Sequence, residues 1–272
     1  EVRCSIQLSY RRKKLFILII NFNVENKVKI LKTYINQITL NELINILLSE
    51  EYKDVAICNA NTLVRSYKDV HLQDIINNFD IATPDGFPVV KSSNILYKSK
   101  QKRVDGYKVF TNTVREGLDL NTSHYFFGNS KEVLDKMISN LKNEYPTINI
   151  SGYSSPPILD VNELINNKYM DEIIELRPDI IWLSFGFPKQ EKLMSLIRSK
   201  YNLKSNLVGV GFTFEWVAGT KVKAPEFIAN MGLEWVLRLI QEPRRLYKRY
   251  FVDNLLFILY FTKQYFKIKF KR

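Results

Sequence analysis

Residues 179–200 read DIIWLSFGFPKQEKLMSLIRSK. The first third, Asp179–Phe185, is an apolar run of the length and kind expected of a short strand buried on both faces. Gly186 and Pro188 break the run into a turn, and Gln190–Lys200 continues as a helix. A buried strand feeding through a turn into a helix is the unit from which parallel sheets are built, so the stretch predicts an α/β fold.

The same pattern recurs on either side. Asp54–Cys58 is a strand-like run leading into Asn59, after which Thr62–Asn77 has helical spacing. Phe79–Ala82 is a second run, followed by TPDG at 83–86 and a helix over Val89–Tyr97. His124–Phe127 is a third, closed by Gly128; Ser130 caps the predicted helix Lys131–Glu144, and Pro146 stops it. Ile148–Ile150 and Leu207–Val210 supply two more strands. The expected architecture is a Rossmann-like, mostly parallel sheet flanked by helices, with a basic, amphipathic helical appendage at the C-terminus. The expected boundaries are an extension or edge strand over 1–38, an α/β core over 39–230 and the appendage over 231–272.

Composition agrees with a folded protein: of 272 residues, 46% are hydrophobic and 25% charged. Cys4 and Cys58 make no disulfide framework, which points to a reduced, cytosolic setting. His71 and His124 lie far apart with no third ligand nearby, so no zinc site is expected, and no cofactor either. Arg11–Lys14 followed by Leu15–Ile20 imitates a leader, but the apolar run falls well short of the ~20 residues a bilayer requires. No small-residue cleavage site follows it, and an edge strand or extension is the better reading.

In parallel sheets, ligands bind beyond the carboxyl ends of the strands. Five corners fall there: Asn59–Asn61, Thr83–Gly86, Gly128–Ser130, Gly186–Gln190 and Gly209–Thr213. Asp85, between Pro84 and Gly86, is either an ordinary turn residue or a carboxylate presented as a general base. Gly128–Ser130 offers backbone N–H groups for a phosphate or simply caps a helix. Lys189 opposes the dipole of the helix it opens, which an anionic ligand would explain and a solvated lysine would not require. Neither GxGxxG nor GxxxxGK[ST] is present.

Four segments occur in one order: TPDGFPVV at 83–90, GFPKQEK at 186–192, GVGFTFEWVAG at 209–219 and GLEWVLRLIQEPRRLYKRY at 232–250. Together they resemble the WecG/TagA/CpsF family of bacterial glycosyltransferases, over roughly Thr39 to Tyr250. The resemblance implies an inverting, metal-independent transfer of N-acetylmannosamine, or a related sugar, from a UDP-sugar to a polyprenyl-diphosphate-linked saccharide. Such products feed wall teichoic acid, enterobacterial common antigen or capsule. It further implies Asp85 as the general base for the acceptor hydroxyl and Asn59 at the neighbouring strand end. Arg103, in KRVDGY, would stabilise the donor phosphates, and Gln190 would line the sugar or nucleotide pocket. Thr83, Gly86, Gly128, Gly186, Lys189, Gly211 and Glu215 complete the expected substrate-binding set. In some members a threonine stands two residues before the asparagine; here Ile57 occupies that place.

The chain carries a net charge of +12, concentrated at its end: from Arg238 to Arg272 ten basic residues face only Glu242 and Asp253. Basic residues interleaved with Trp, Leu and Tyr suit a helix lying in a membrane interface, where each basic group contributes about 1 kcal/mol on an anionic surface. A helical subdomain packed on the core through Leu237, Leu239 and Leu246 is the plainer reading. The resemblance implies that the appendage docks at the inner face of the cell membrane. There Arg238, Arg245 and Lys248, with Arg244 and Arg249 as further candidates, would meet the acceptor's diphosphate. Self-association is left open. Two other classes compete: a nucleic-acid-binding protein using the basic tail, which lacks any such motif, and a soluble nucleotide-sugar enzyme such as an epimerase.

Overall fold

The structure is a computed structural model that describes residues 26–270, the side chains of Asn230 and Arg249 excepted. Its strands are β1 (Lys27–Ile30), β2 (Thr33–Asn36), β3 (Asp54–Cys58), β4 (Ile81–Pro84), β5 (Ser123–Gly128), β6 (Asn149–Ser154), β7 (Ile180–Ser184) and β8 (Asn206–Gly209). The last six form one sheet in the order β4-β3-β8-β7-β5-β6, every neighbouring pair parallel. β7, the apolar run of DIIWLSF, lies inside the sheet with every residue buried.

The pleat sorts each strand onto two cores. Ile181 and Leu183 of β7, Tyr125 and Phe127 of β5, Ala56 and Cys58 of β3, and Leu207 of β8 belong to one cluster. Their alternates Ile180 and Trp182, Phe126, Val55 and Val208 belong to the other. Side chains two residues apart share a face, so a strand covered on both sides must be apolar throughout.

Helices α1 (Leu40–Leu47), α2 (Ala60–Lys68), α3 (Val70–Asn78), α4 (Phe87–Tyr97), α5 (Gly106–Gly117) and α6 (Lys131–Glu144) precede β6. After it come α7 (Val161–Ile165), α8 (Lys168–Leu176), α9 (Lys189–Lys200), α10 (Thr213–Val217), α11 (Glu226–Asn230), α12 (Glu234–Gln241), α13 (Pro243–Lys248) and α14 (Asn254–Phe270). One face is covered by α2, α3, α7, α8 and α9, the other by α1, α5, α6 and α10. Arg198 of α9 ties its helix to β3 by gripping the buried Asp54 (Nη2 to Oδ1, 2.6 Å; Nε to Oδ2, 3.1 Å).

Several expectations are refined. The helical stretch 62–77 is two helices, because Asp69 caps α3 through its side chain, accepting from Leu72 N at 3.1 Å, while its N–H closes α2. Aspartate competes well for the backbone in this way, which favours it at caps over helix interiors. The second strand runs over 81–84 rather than 79–82; Phe79 instead ends α3 and is buried. Pro84 is tolerated there because β4 is an edge strand.

The segment before 39 supplies more than an edge strand. β1 and β2 form an antiparallel hairpin whose Val28, Ile30 and Ile35 enter the first core. Asn36 Oδ1 accepts from Ala82 N at 2.8 Å, so the hairpin covers the exposed edge of β4. The strand reading of Leu15–Ile20 lies outside the described residues.

After α13, a π-helical turn, Arg249–Asp253, leads into α14. That helix is moored to the core: Phe257 is buried, and Tyr260 stacks on Tyr67 of α2 at 4.3 Å. Gln264 accepts from Leu31 N at 2.7 Å and donates to Lys29 O at 2.9 Å. Its outer side exposes Leu255, Ile258, Leu259 and Phe266 beside Lys263, Lys267 and Lys269. Among the described residues no helix is long and apolar enough to cross a membrane.

Candidate active site

A cleft of about 1000 Å³ opens over the carboxyl ends of β3, β4, β5, β7 and β8. α9 leaves β7 toward one face and α10 leaves the adjacent β8 toward the other, which creates a crevice at the carboxyl ends of these central strands. The expected base Asp85 lines it, with Asn59, Arg103, Gly186, Gln190, Gly211 and Glu215 of the expected substrate-binding residues, as do Arg238, Arg245 and Lys248.

Asp85 is the first residue beyond β4. Its N–H continues the ladder by donating to Cys58 O at 2.8 Å. Gly86 then takes φ = 80°, a left-handed conformation suited to glycine, and the chain turns into α4 with Pro88 in its first turn. The carboxylate is thereby held at the strand end. Oδ1 accepts from Arg103 Nε at 2.9 Å. Arg103 is brought there by the next residue, since Val104 N–H donates to Pro84 O at 3.1 Å.

Arg103 meets two further carboxylates. Nη1 lies 2.7 Å from Glu234 Oε2, and Nη2 lies 3.9 Å from Asp105 Oδ2. Asp105 also caps α5, accepting from Lys108 N at 3.0 Å. Burial pushes the Asp85 carboxyl above its usual range; Arg103 opposes that, while Asp105 and Glu234 reinforce it. Burial works against the Arg103 charge, but the three carboxylates outweigh it and hold the guanidinium more firmly protonated than usual.

The floor is built around Gln190, which is 4% exposed. Its Nε2 donates to Glu191 Oε1 at 3.0 Å, and its Oε1 is buried with no hydrogen-bond partner among the described residues. Gly209 leaves room for this side chain, since a Cβ there would stand 2.7 Å from Gln190 Nε2 and displace it. Asn129, in a left-handed conformation (φ = 67°), donates to Ser184 Oγ at 3.1 Å and bonds Glu215. Burial raises the Glu215 carboxyl as well.

The roof comes from the appendage. Arg238 of α12 lies 4.4 Å over the Phe212 ring and 5.6 Å from that of Trp216, and Arg245 of α13 lies 5.4 Å from Phe212. Trp216 Nε1 and Arg238 Nε are buried donors with no acceptor among the described residues. Such groups cost free energy unless something satisfies them.

Five expected residues lie outside the lining. Thr83 is buried, its hydroxyl donating to Val104 O at 3.3 Å. Gly86 shapes the turn. Gly128 is a packing glycine: a Cβ there would stand 2.7 Å from Ser184 O. Lys189 rests over the Phe185 ring at 5.3 Å, and Arg244 is exposed beyond the cleft. The side chain of Arg249 is outside the described residues. Ile57 lines the cleft.

Sequence reasoning missed Asp105, Glu234, Phe212 and Trp216, all part of the lining. A signal existed for Glu234: it stands four residues before Arg238 in GLEWVLR, so both project from one helix face.

The sequence model described as "Glycosyl transferase WecG/TagA/CpsF family" matches residues 28–271. Similar proteins include one from Bacillus spizizenii, 28% identical over 198 residues, covering 72% of this chain and 75% of the relative. A Bacillus subtilis protein is 28% identical over 191 residues, covering 70% and 72%. One from Staphylococcus aureus is 24% identical over 200 residues, covering 73% and 76%. All three are named N-acetylglucosaminyldiphosphoundecaprenol N-acetyl-beta-D-mannosaminyltransferase.

Proposed function

The chain belongs to the WecG/TagA/CpsF family of glycosyl transferases, and we propose that it moves N-acetylmannosamine, or a closely related sugar, from a UDP-sugar to N-acetylglucosaminyl-diphospho-polyprenol. The acceptor class follows the names of the relatives. The observation that carries the mechanism is the Asp85 carboxylate, held at a strand end in the cleft by Arg103 at 2.9 Å.

In this reading the acceptor hydroxyl attacks the anomeric carbon while Asp85 takes its proton. The bond from that carbon to the diphosphate oxygen breaks, and the bonding electrons leave with UDP. One displacement inverts the anomeric centre. A carboxyl raised by burial is a stronger base than a solvated one, and the Arg103 ion pair favours the ionised form that a base requires.

Negative charge on the diphosphates requires cations. Arg238, Arg245 and Lys248 face the cleft from the appendage and are assigned to the acceptor's diphosphate. Arg103 is committed to carboxylates, and its role is to hold the base. Metal independence is supported by the same contacts, because a guanidinium occupies the space among Asp85, Asp105 and Glu234. The lipid acceptor and the exposed apolar and lysine residues of α14 together support peripheral association with the inner face of the membrane.

The test is release of UDP from UDP-N-acetylmannosamine by the full chain with a short-chain polyprenyl-diphosphate-N-acetylglucosamine analogue. Release should depend on the acceptor and persist in excess chelator. Release that is unaffected by omitting the acceptor, or that is abolished by chelation, would count against this reading.

A further inference from the structure

Helix α12 docks on the core by one face. Glu234, Arg238 and Gln241 stand at i, i+4 and i+7, so their side chains project together. Gln241 Nε2 donates to Val222 O at 2.8 Å and its Oε1 accepts from Val222 N at 3.2 Å, clasping the end of the helix. Arg238 lies over Phe212. Glu234, at the start of the helix, reaches Arg103, and Arg103 reaches Asp85.

The Glu234 carboxylate is only 13% exposed and joins a cluster where Asp85 and Asp105 already outnumber the one cation. A third anion there opposes its neighbours, so charge balance at Arg103 does not require it. What it supplies is a fixed ion-pair partner for Nη1 at 2.7 Å, which holds the guanidinium with Nε directed at Asp85. We infer that Glu234 is a positioning residue that couples seating of the C-terminal appendage to alignment of Asp85, so that the base is set when α12 closes the cleft over the acceptor. The inference rests on the reading of Asp85 as the general base.

The coupling has an electrostatic signature. The groups facing Asp85 are Arg103 from the loop before α5, Asp105 at the α5 N-cap, Glu234 from α12 and the buried Cys58 thiol at the end of β3. Glu234 raises the Asp85 proton affinity, so removing its charge lowers that affinity. The acid limb of the rate profile, where Asp85 becomes protonated, then moves to lower pH as that charge is lost, or to higher pH where the released guanidinium turns away from Asp85.

The experiment compares full-length Glu234→Gln and Gln241→Ala with the unaltered chain, using the acceptor-dependent UDP assay across pH. Glu234→Gln should lower kcat ten- to a hundredfold with little change in the donor KM, and move the acid limb by about half a pH unit or more. Gln241→Ala loosens the same helix from its far end with every charge of the cluster in place, so under the coupling it should lower kcat as well. An unmoved limb with normal kcat in Glu234→Gln overturns the inference, as does a normal kcat in Gln241→Ala. A Glu234→Gln chain that does not fold gives way to Glu234→Asp, which keeps the charge but shortens the reach: kcat should fall, and unchanged kcat overturns the inference. Full turnover by Asp85→Asn would instead remove the base assignment itself, whereas an inactive Asp85→Asn beside a normal Glu234→Gln removes only the coupling.

Discussion

Pro84 ends β4 on an edge that requires no ladder donor, Asp85 spends its N–H on Cys58 O, and Gly86 takes the positive φ that lets α4 begin. That division of labour was legible in TPDG. The partners of Asp85 were less so, because Arg103 and Glu234 come from 18 and 149 residues away and only folding brings them together. His124 shows the limit from another side: in sequence it is a lone histidine, and in the fold it is a buried core residue accepting from Trp182 Nε1 at 3.2 Å. Burial lowers its pKa to about 4. An unfolded histidine titrates near 6.5, so between those values the unfolded chain binds a proton that the native chain refuses. Its contribution is complete above pH 6.5 and is lost as pH falls toward 4. The urea-derived stability should therefore fall between pH 7 and pH 5, with about 2 kcal/mol from His124. The drop should be smaller in His124→Gln; an equal drop in that variant would contradict this account.

At the scale of elements, the buried strands announced themselves because a parallel sheet covered on both faces demands continuous apolar runs. The helix over 131–144 was equally plain, since Ser130 caps it by accepting from Val133 N at 3.3 Å. By contrast, α5 went unnoticed: glycine stands at both its ends, and polar residues separate the buried Val109, Phe110 and Val114. Its start signal, Asp105 as cap, sat three residues before Lys108 and drew no notice beside the charges around it. The tail read as amphipathic, and the fold gives α14 a more particular form. One side packs on α2 and the hairpin, and the other exposes Leu255, Ile258 and Leu259 with lysines nearby. If that outer side enters a membrane interface, each buried leucine or isoleucine contributes up to about 1.5–3 kcal/mol. The chain should float with anionic liposomes, and replacing Leu255, Ile258 and Leu259 together by Asp should abolish flotation without unfolding, since all three are exposed. Undiminished flotation would place the membrane contact elsewhere.

For the molecule as a whole, charge and composition left three classes open, among them a nucleic-acid-binding protein built on the basic tail. Membership of the glycosyl transferase family decides among them, and the fold explains why the four motifs had to be read together. Each forms part of one cleft wall: TPDG at the end of β4, GFPKQE after β7, GVGFTFEW after β8 and GLEWVLR as its roof. The Asp85–Arg103–Glu234 chain joins floor to roof, and the proposed chemistry depends on its first member. The direct measurement is turnover of Asp85→Asn beside its affinity for UDP-sugar. Transfer should fall by about 10²-fold or more, the usual order for losing a general base, while donor binding stays close to that of the unaltered chain. Undiminished transfer with donor binding intact would contradict the account.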